Sequence, residues 1–151
     1  MKLKLIFFAA LFLLAAQATI AQTKTKAKLA GSQTAPAAKQ HRVVYDVVSA
    51  DSARQGKIMQ HLDRMMDHWP EARLEVVVHG NGLEMLMKNK AANAEELKAL
   101  QAKGVVFAAC ENAMRAHNVQ KEQLLPGVIT VPMGVVEIIE KQEEGYSYIK
   151  L

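Results

Sequence analysis

The chain predicts a small doubly wound α/β domain, a mostly parallel sheet of five strands with helices on both faces, and three observations carry that prediction. Short β-branched or apolar runs alternate with longer amphipathic stretches from residue 42 onward. Turn residues such as Gly80-Asn81-Gly82, Lys103-Gly104 and Pro126-Gly127 stand at the joints. The residues after position 40, about 110 of them, suffice for one core and not for two. Strands that alternate with helices at this spacing pair in parallel through right-handed crossovers.

Arg42-Val43-Val44-Tyr45-Asp46-Val47-Val48 is short and β-branched, so it reads as the first strand. Between Ser52 and Trp69 the apolar positions Ile58, Leu62, Met65, Met66 and Trp69 fall on one helical face, and Pro70 ends the helix. Leu74 to His79 is the second strand, broken by Gly80-Asn81-Gly82, and Leu83 to Lys88 is expected to make a short helix. Asn93 with Glu96 three residues on resembles a capping box for a helix ending near Lys103-Gly104. Val105 to Asn112 holds the third strand, Glu111 to His117 a short helix, and Asn118 suits a left-handed cap. Gln120 to Leu125 is expected to add a further turn. Val128 to Val131 is the fourth strand. Pro132 suits a first helical position, and Val135, Val136, Ile138 and Ile139 are expected to line the buried face of a last helix that stops at Gly145. Tyr146 to Lys150 alternates and closes the sheet.

Residues 1–21 read as a signal peptide rather than as part of the fold. Lys2 and Lys4 precede an uncharged apolar run from Leu5 to Ala16, too short to span a bilayer comfortably, and small residues suited to cleavage follow. Residues 22–40 are rich in Thr, Lys, Ala, Ser and Gln with almost nothing large to bury, so a disordered linker is expected before a domain at 41–151. Six of the 19 basic residues precede position 41 and none of the 15 acids does, which leaves 13 basic against 15 acidic residues in the domain, a net of −2. The basic balance of the whole chain is therefore no argument for nucleic acid. Export to a periplasm or to the outside is expected, without stable membrane insertion.

In a parallel sheet the strand C-termini share one edge, where open α/β sheets place their chemistry. The loops Ser49 to Ser52, His79 to Gly82, Cys110 to Asn112 and Pro132 to Gly134 should meet there. Cys110 is the only cysteine in the chain. With the common strand order 2-1-3-4-5, it would face the Asp51 loop across a crevice at the switch point. At the first turn of the helix that follows, backbone N–H groups would favour a thiolate, and Glu111 would oppose them. A packed structural thiol is the alternative, since free cysteine is among the most often buried residues. One unpaired thiol in an exported chain shifts the weight toward function, because exported proteins normally pair or omit cysteine.

Other chemistries lack their signatures. Gly80-Asn81-Gly82 falls short of the dinucleotide fingerprint and follows the second strand rather than the first. No C-x-x-C is present for dithiol exchange, and no nucleophile elbow supports a hydrolase. Met59, Met65 and Met66 are spaced as helix core or flank, while His61 and His68 lie two turns apart without a third ligand. No metal and no cofactor is expected.

Taken in order, Val78-His79-Gly80-Asn81-Gly82-Leu83, Gly104 to Asn112, Leu124-Leu125-Pro126-Gly127-Val128, Val131 to Glu137 and Gln142 to Ile149 resemble the DsrE/DsrF-like family across essentially all of residues 41–151. The resemblance implies a three-layer, flavodoxin-like sulfur-relay fold that assembles into homo-oligomers, commonly trimers or hexamers. It also implies Cys110 as the site residue, with His79, Gly80, Asn81 and Gly82 beside it and Glu111 and Asn112 following it. The chain departs from the family in its export signal and in Ala113-Met114, where the family often continues Asn-Thr-Leu.

Three functions follow from different classes. In the first, Cys110 accepts a sulfane sulfur as a persulfide and passes it on, with a sulfur donor or acceptor protein as partner. In the second, the loop edge of an oligomer binds a small ligand or anion and Cys110 is structural. The third, a sulfurtransferase enzyme, has least support, since Cys110 to Arg115 lacks the glycine and basic residues of a rhodanese-like anion loop.

Overall fold

The computed structural model describes residues 40–151; the expected signal peptide and all but the last residue of the expected linker lie outside them. Five parallel strands form one sheet: β1 (Arg42–Val47), β2 (Arg73–Val78), β3 (Val106–Cys110), β4 (Ile129–Val131) and β5 (Ser147–Lys150). Four α-helices intervene: α1 (Ser52–His68), α2 (Ala94–Ala102), α3 (Glu111–Ala116) and α4 (Gly134–Glu143). Gly80–Leu86 and Lys121–Gln123 are 3₁₀ turns.

The strand order is β4-β3-β2-β1-β5. This corrects the 2-1-3-4-5 order: β2, not β1, lies beside β3, so the Asp51 loop is not Cys110's neighbour. Asp51 instead caps α1, its Oδ1 accepting from the N–H groups of Ala53 at 2.8 Å and Arg54 at 3.1 Å. From β1 to β4 the chain steps steadily in one direction, so right-handed crossovers keep α1, α2 and α3 on one face. The return from β4 to β5 puts α4 alone on the other.

Under α1 to α3 lies the main core. Ile58, Met59, Leu62 and Met66 of α1 pack with Leu97 and Leu100 of α2 on Tyr45, Val47, Leu74, Val76, Val78 and Phe107 from the strands. The opposite core is small, with Val44, Val77, Ala108 and Val131 under Ile138 of α4.

Three local expectations are corrected. Asn93 precedes α2, but its side chain makes no capping bond, and its Nδ2 is buried without a partner. Pro132 stands two residues before α4, which Met133 caps and Gly134 opens. On α4 only Gly134 and Ile138 are buried, while Val135, Val136 and Ile139 are exposed. The reason lies beneath the helix: Glu75 of β2 is buried there, and its partners Glu137 and Lys141 take the sheet-facing positions that apolar residues were expected to hold. Asn118 does adopt the left-handed conformation expected of it, at φ 54°.

Candidate functional site

Cys110 closes β3 at the C-terminal edge of the sheet and is 4% exposed. Its sulfur makes no cap on α3, the helix that follows it. Instead Sγ accepts a hydrogen bond of 3.2 Å from the Gly134 N–H, at the start of α4. Met133, at the cap position, offers that helix no side-chain bond, so the sulfur satisfies a helix N–H that is otherwise left open. A backbone donor at the positive end of a helix stabilises negative charge on sulfur. The helix N–H that reaches the sulfur thus belongs to α4 and not to α3.

Glycine keeps the approach at 134 close. A Cβ there would lie 3.2 Å from Val77 Cγ1 and 3.4 Å from the Cβ atoms of both Cys110 and His79. The β2–β3 register runs to Val78 beside Ala109, so His79 follows β2 where Cys110 ends β3. These two residues, with Gly80, Asn112, Met133 and Val135, line an open depression of about 320 Å³.

On its other side His79 meets β1. Its Nε2 lies 2.8 Å from Oδ1 of Asp46, which is buried; Asp46 Oδ2 accepts from the Tyr148 hydroxyl at 2.9 Å and lies 3.5 Å from Lys150 Nζ. Burial pushes the Asp46 carboxyl up, but the hydrogen bonds from Tyr148 and His79 and the charges of His79 and Lys150 outweigh it and hold the group below its ordinary range.

Of the residues expected at the site, the structure gathers Cys110, His79, Gly80 and Asn112. Asn81 lines a different hollow, with Glu84 and Lys90. Gly82 is packed against β1, where a Cβ would stand 3.1 Å from Val47 O, so its role is fit. Glu111 turns away to Arg115, 3.8 Å distant, and lines a separate hollow with Lys121 and Thr130. Asp46 and Tyr148 were not expected. The available signal was a lone carboxylate in the β-branched run Val43 to Val48, on the strand face shared with Val44.

A second polar cluster lies further down the same face. Burial, above all, pushes Glu75 up to about 7, with Glu137 adding to the rise and Lys141 opposing it. Lys141 Nζ stands 3.6 Å from Glu75, 3.7 Å from Glu137 and 3.2 Å from Glu144, so three carboxylates share one ammonium. Among the described residues no three His, Cys, Asp or Glu side chains converge as metal ligands.

These features define a parallel α/β domain with a single cysteine at the C-terminal edge of its sheet. The model of the DsrE/DsrF-like family matches residues 26–151, and the chain belongs to that family. Two solved structures are similar to it. One is MTH1491 from Methanobacterium thermoautotrophicum, a protein of unknown function, at 30% identity and TM-score 0.71 over 74% of this chain and 100% of that one. The other is the ychN protein from E. coli, whose likeness is one of fold, at 12% identity and TM-score 0.62 over 74% and 99%. No curated protein matches.

Proposed function

We propose that this protein is a sulfur carrier in which Cys110 holds a sulfane sulfur as a persulfide and delivers it to a partner thiol. The observation that carries the reading is the setting of Cys110: its Sγ receives the Gly134 N–H at 3.2 Å and borders a depression shared with His79. Membership of the DsrE/DsrF-like family, a sulfur-relay type of fold, supports the same chemistry. Transfer by one thiol needs a nucleophilic sulfur and no neighbouring cysteine to discharge the persulfide as a disulfide. Cys110 has none in its own chain.

Intact-mass measurement of the full chain after treatment with inorganic tetrasulfide tests this. Gain of sulfur at Cys110, absent from Cys110→Ser and removed by a thiol reductant, is the expected result. A Cys110 that takes up no sulfur would leave the oligomeric binding module as the better reading, because a thiol 4% exposed also suits a packing role.

The reading extends to assembly and compartment. Val135, Val136 and Ile139 on α4, with Val106 and Ile129 at the strand starts, form exposed apolar surface that a second copy of the chain would cover. A homo-oligomer in sedimentation, trimeric or hexameric, is expected. The sequence of residues 1–21 supports export, and N-terminal sequencing of protein collected outside the cytoplasm tests it.

A further inference from the structure

His79 follows β2, the middle strand, with Asp46 of β1 on one side and Cys110 of β3 on the other. An ionised carboxylate can only accept, so Asp46 requires the proton of a neutral His79 to sit on Nε2, 2.8 Å away. Nδ1 is then the bare nitrogen, and it makes no hydrogen bond with any described residue. The Tyr148 hydroxyl and Lys150 keep the outer oxygen of Asp46 occupied and the carboxylate fixed. The fold therefore places a base of defined tautomer in the depression that holds the thiol.

We propose that His79 is the acid–base partner of Cys110, that Asp46 and Tyr148 are positioning residues for it, and that the donor is a persulfide with an alkyl leaving thiolate. The inference rests on the sulfur-carrier reading. His79 Nδ1 takes the proton of the Cys110 thiol, directly or through one water. The thiolate attacks the outer sulfur of the donor R–S–SH, forming the new S–S bond as the old one breaks with its electron pair on R–S⁻. The imidazolium returns its proton to that thiolate. Cys–SH and R–S–SH become Cys–S–SH and R–SH, with no other oxidant or reductant needed. An alkyl thiolate is a basic leaving group, so it gains from this proton; an aryl thiolate does not need it.

The test compares two electrophiles on the full chain at neutral pH, glutathione persulfide and the aryl disulfide dithiobis(2-nitrobenzoate). His79→Gln and Asp46→Asn should slow sulfur transfer from the persulfide about 100-fold, the usual scale of acid–base catalysis, and attack on the aryl disulfide far less. Raising the pH until the thiol ionises unaided should restore the aryl reaction alone. Tyr148→Phe, at a half-exposed residue, keeps the test open should Asp46→Asn fail to fold, and should cost about threefold by the same selective pattern. Equal slowing with both electrophiles, or no slowing, would overturn the proposal while leaving the carrier reading intact. A wild-type chain that gains no sulfur from the persulfide would overturn both.

Discussion

On one face of the sheet α1, α2 and α3 bury a broad apolar core, whereas on the other α4 alone covers four apolar strand residues and shares the space with Asp46, Glu75 and His79. The difference follows from topology. Three crossovers in one direction stack three helices on one side, and a single return leaves one helix for the other. The broad face supplies cohesion, and the thin one has room for groups that titrate.

Phe107→Ala breaks that contrast most severely, because Phe107 is wholly buried under the broad face. It should cost about 3–5 kcal/mol in urea unfolding while leaving the sulfur uptake of the folded fraction unchanged.

The thin face should respond to pH instead. Glu75 is raised from 4.5 to about 7, so the folded protein holds this proton more tightly than the unfolded chain does. Its stabilising contribution is complete below the unfolded value and is lost as pH rises through about 7. Asp46 has the opposite sign. Its lowered carboxyl contributes above the unfolded value of 3.8, and that contribution is lost as pH falls through its folded value. Unfolding measured from pH 4.5 to 8 should show a decline of about 1–3 kcal/mol that Glu75→Gln flattens; an unchanged slope in the variant would refute the assignment to Glu75.

Gly134→Ala probes the contact between α4 and the thiol. Alanine favours a helix over glycine by about 1 kcal/mol, but the crowding around its Cβ costs about 1–3 kcal/mol. A net loss of about 1 kcal/mol is expected, with alkylation of Cys110 slowed about tenfold as the N–H moves off the sulfur. The smallest change in chain stability, under about 0.5 kcal/mol, should come from Val135→Ser with Ile139→Ser, since both are exposed. That pair should nevertheless shift sedimentation to the monomer; an intact oligomer would place the interface elsewhere.

Each strand was legible because β-branched runs such as Val76-Val77-Val78 have few other uses, and their ends moved by only one or two residues. Cys110, His79 and Asn112 were legible as a shared edge because parallel pairing alone brings strand C-termini together. The order of the strands was not, since it depends on which connection reverses direction, and none of the loop sequences states that. The buried side of α4 was misread for a related reason. Periodicity counts apolar residues on a helix and does not show that a buried carboxylate such as Glu75 waits beneath it to draw in Glu137 and Lys141. Asp46 escaped notice because its significance depends on His79, 33 positions away in the chain.

His79 owes its place to β2, which has two strands on each side of it. Its own amide is bonded to Val47 O at 3.0 Å, which extends the ladder one residue beyond the strand. Amides in the centre of a sheet exchange with solvent only through the rarest, most global openings. The backbone beneath the imidazole should therefore fall in the slowest-exchanging class among the described residues, and α4, resting on a small core, should open more readily. An opening of α4 would then expose the thiol without displacing the backbone that carries His79.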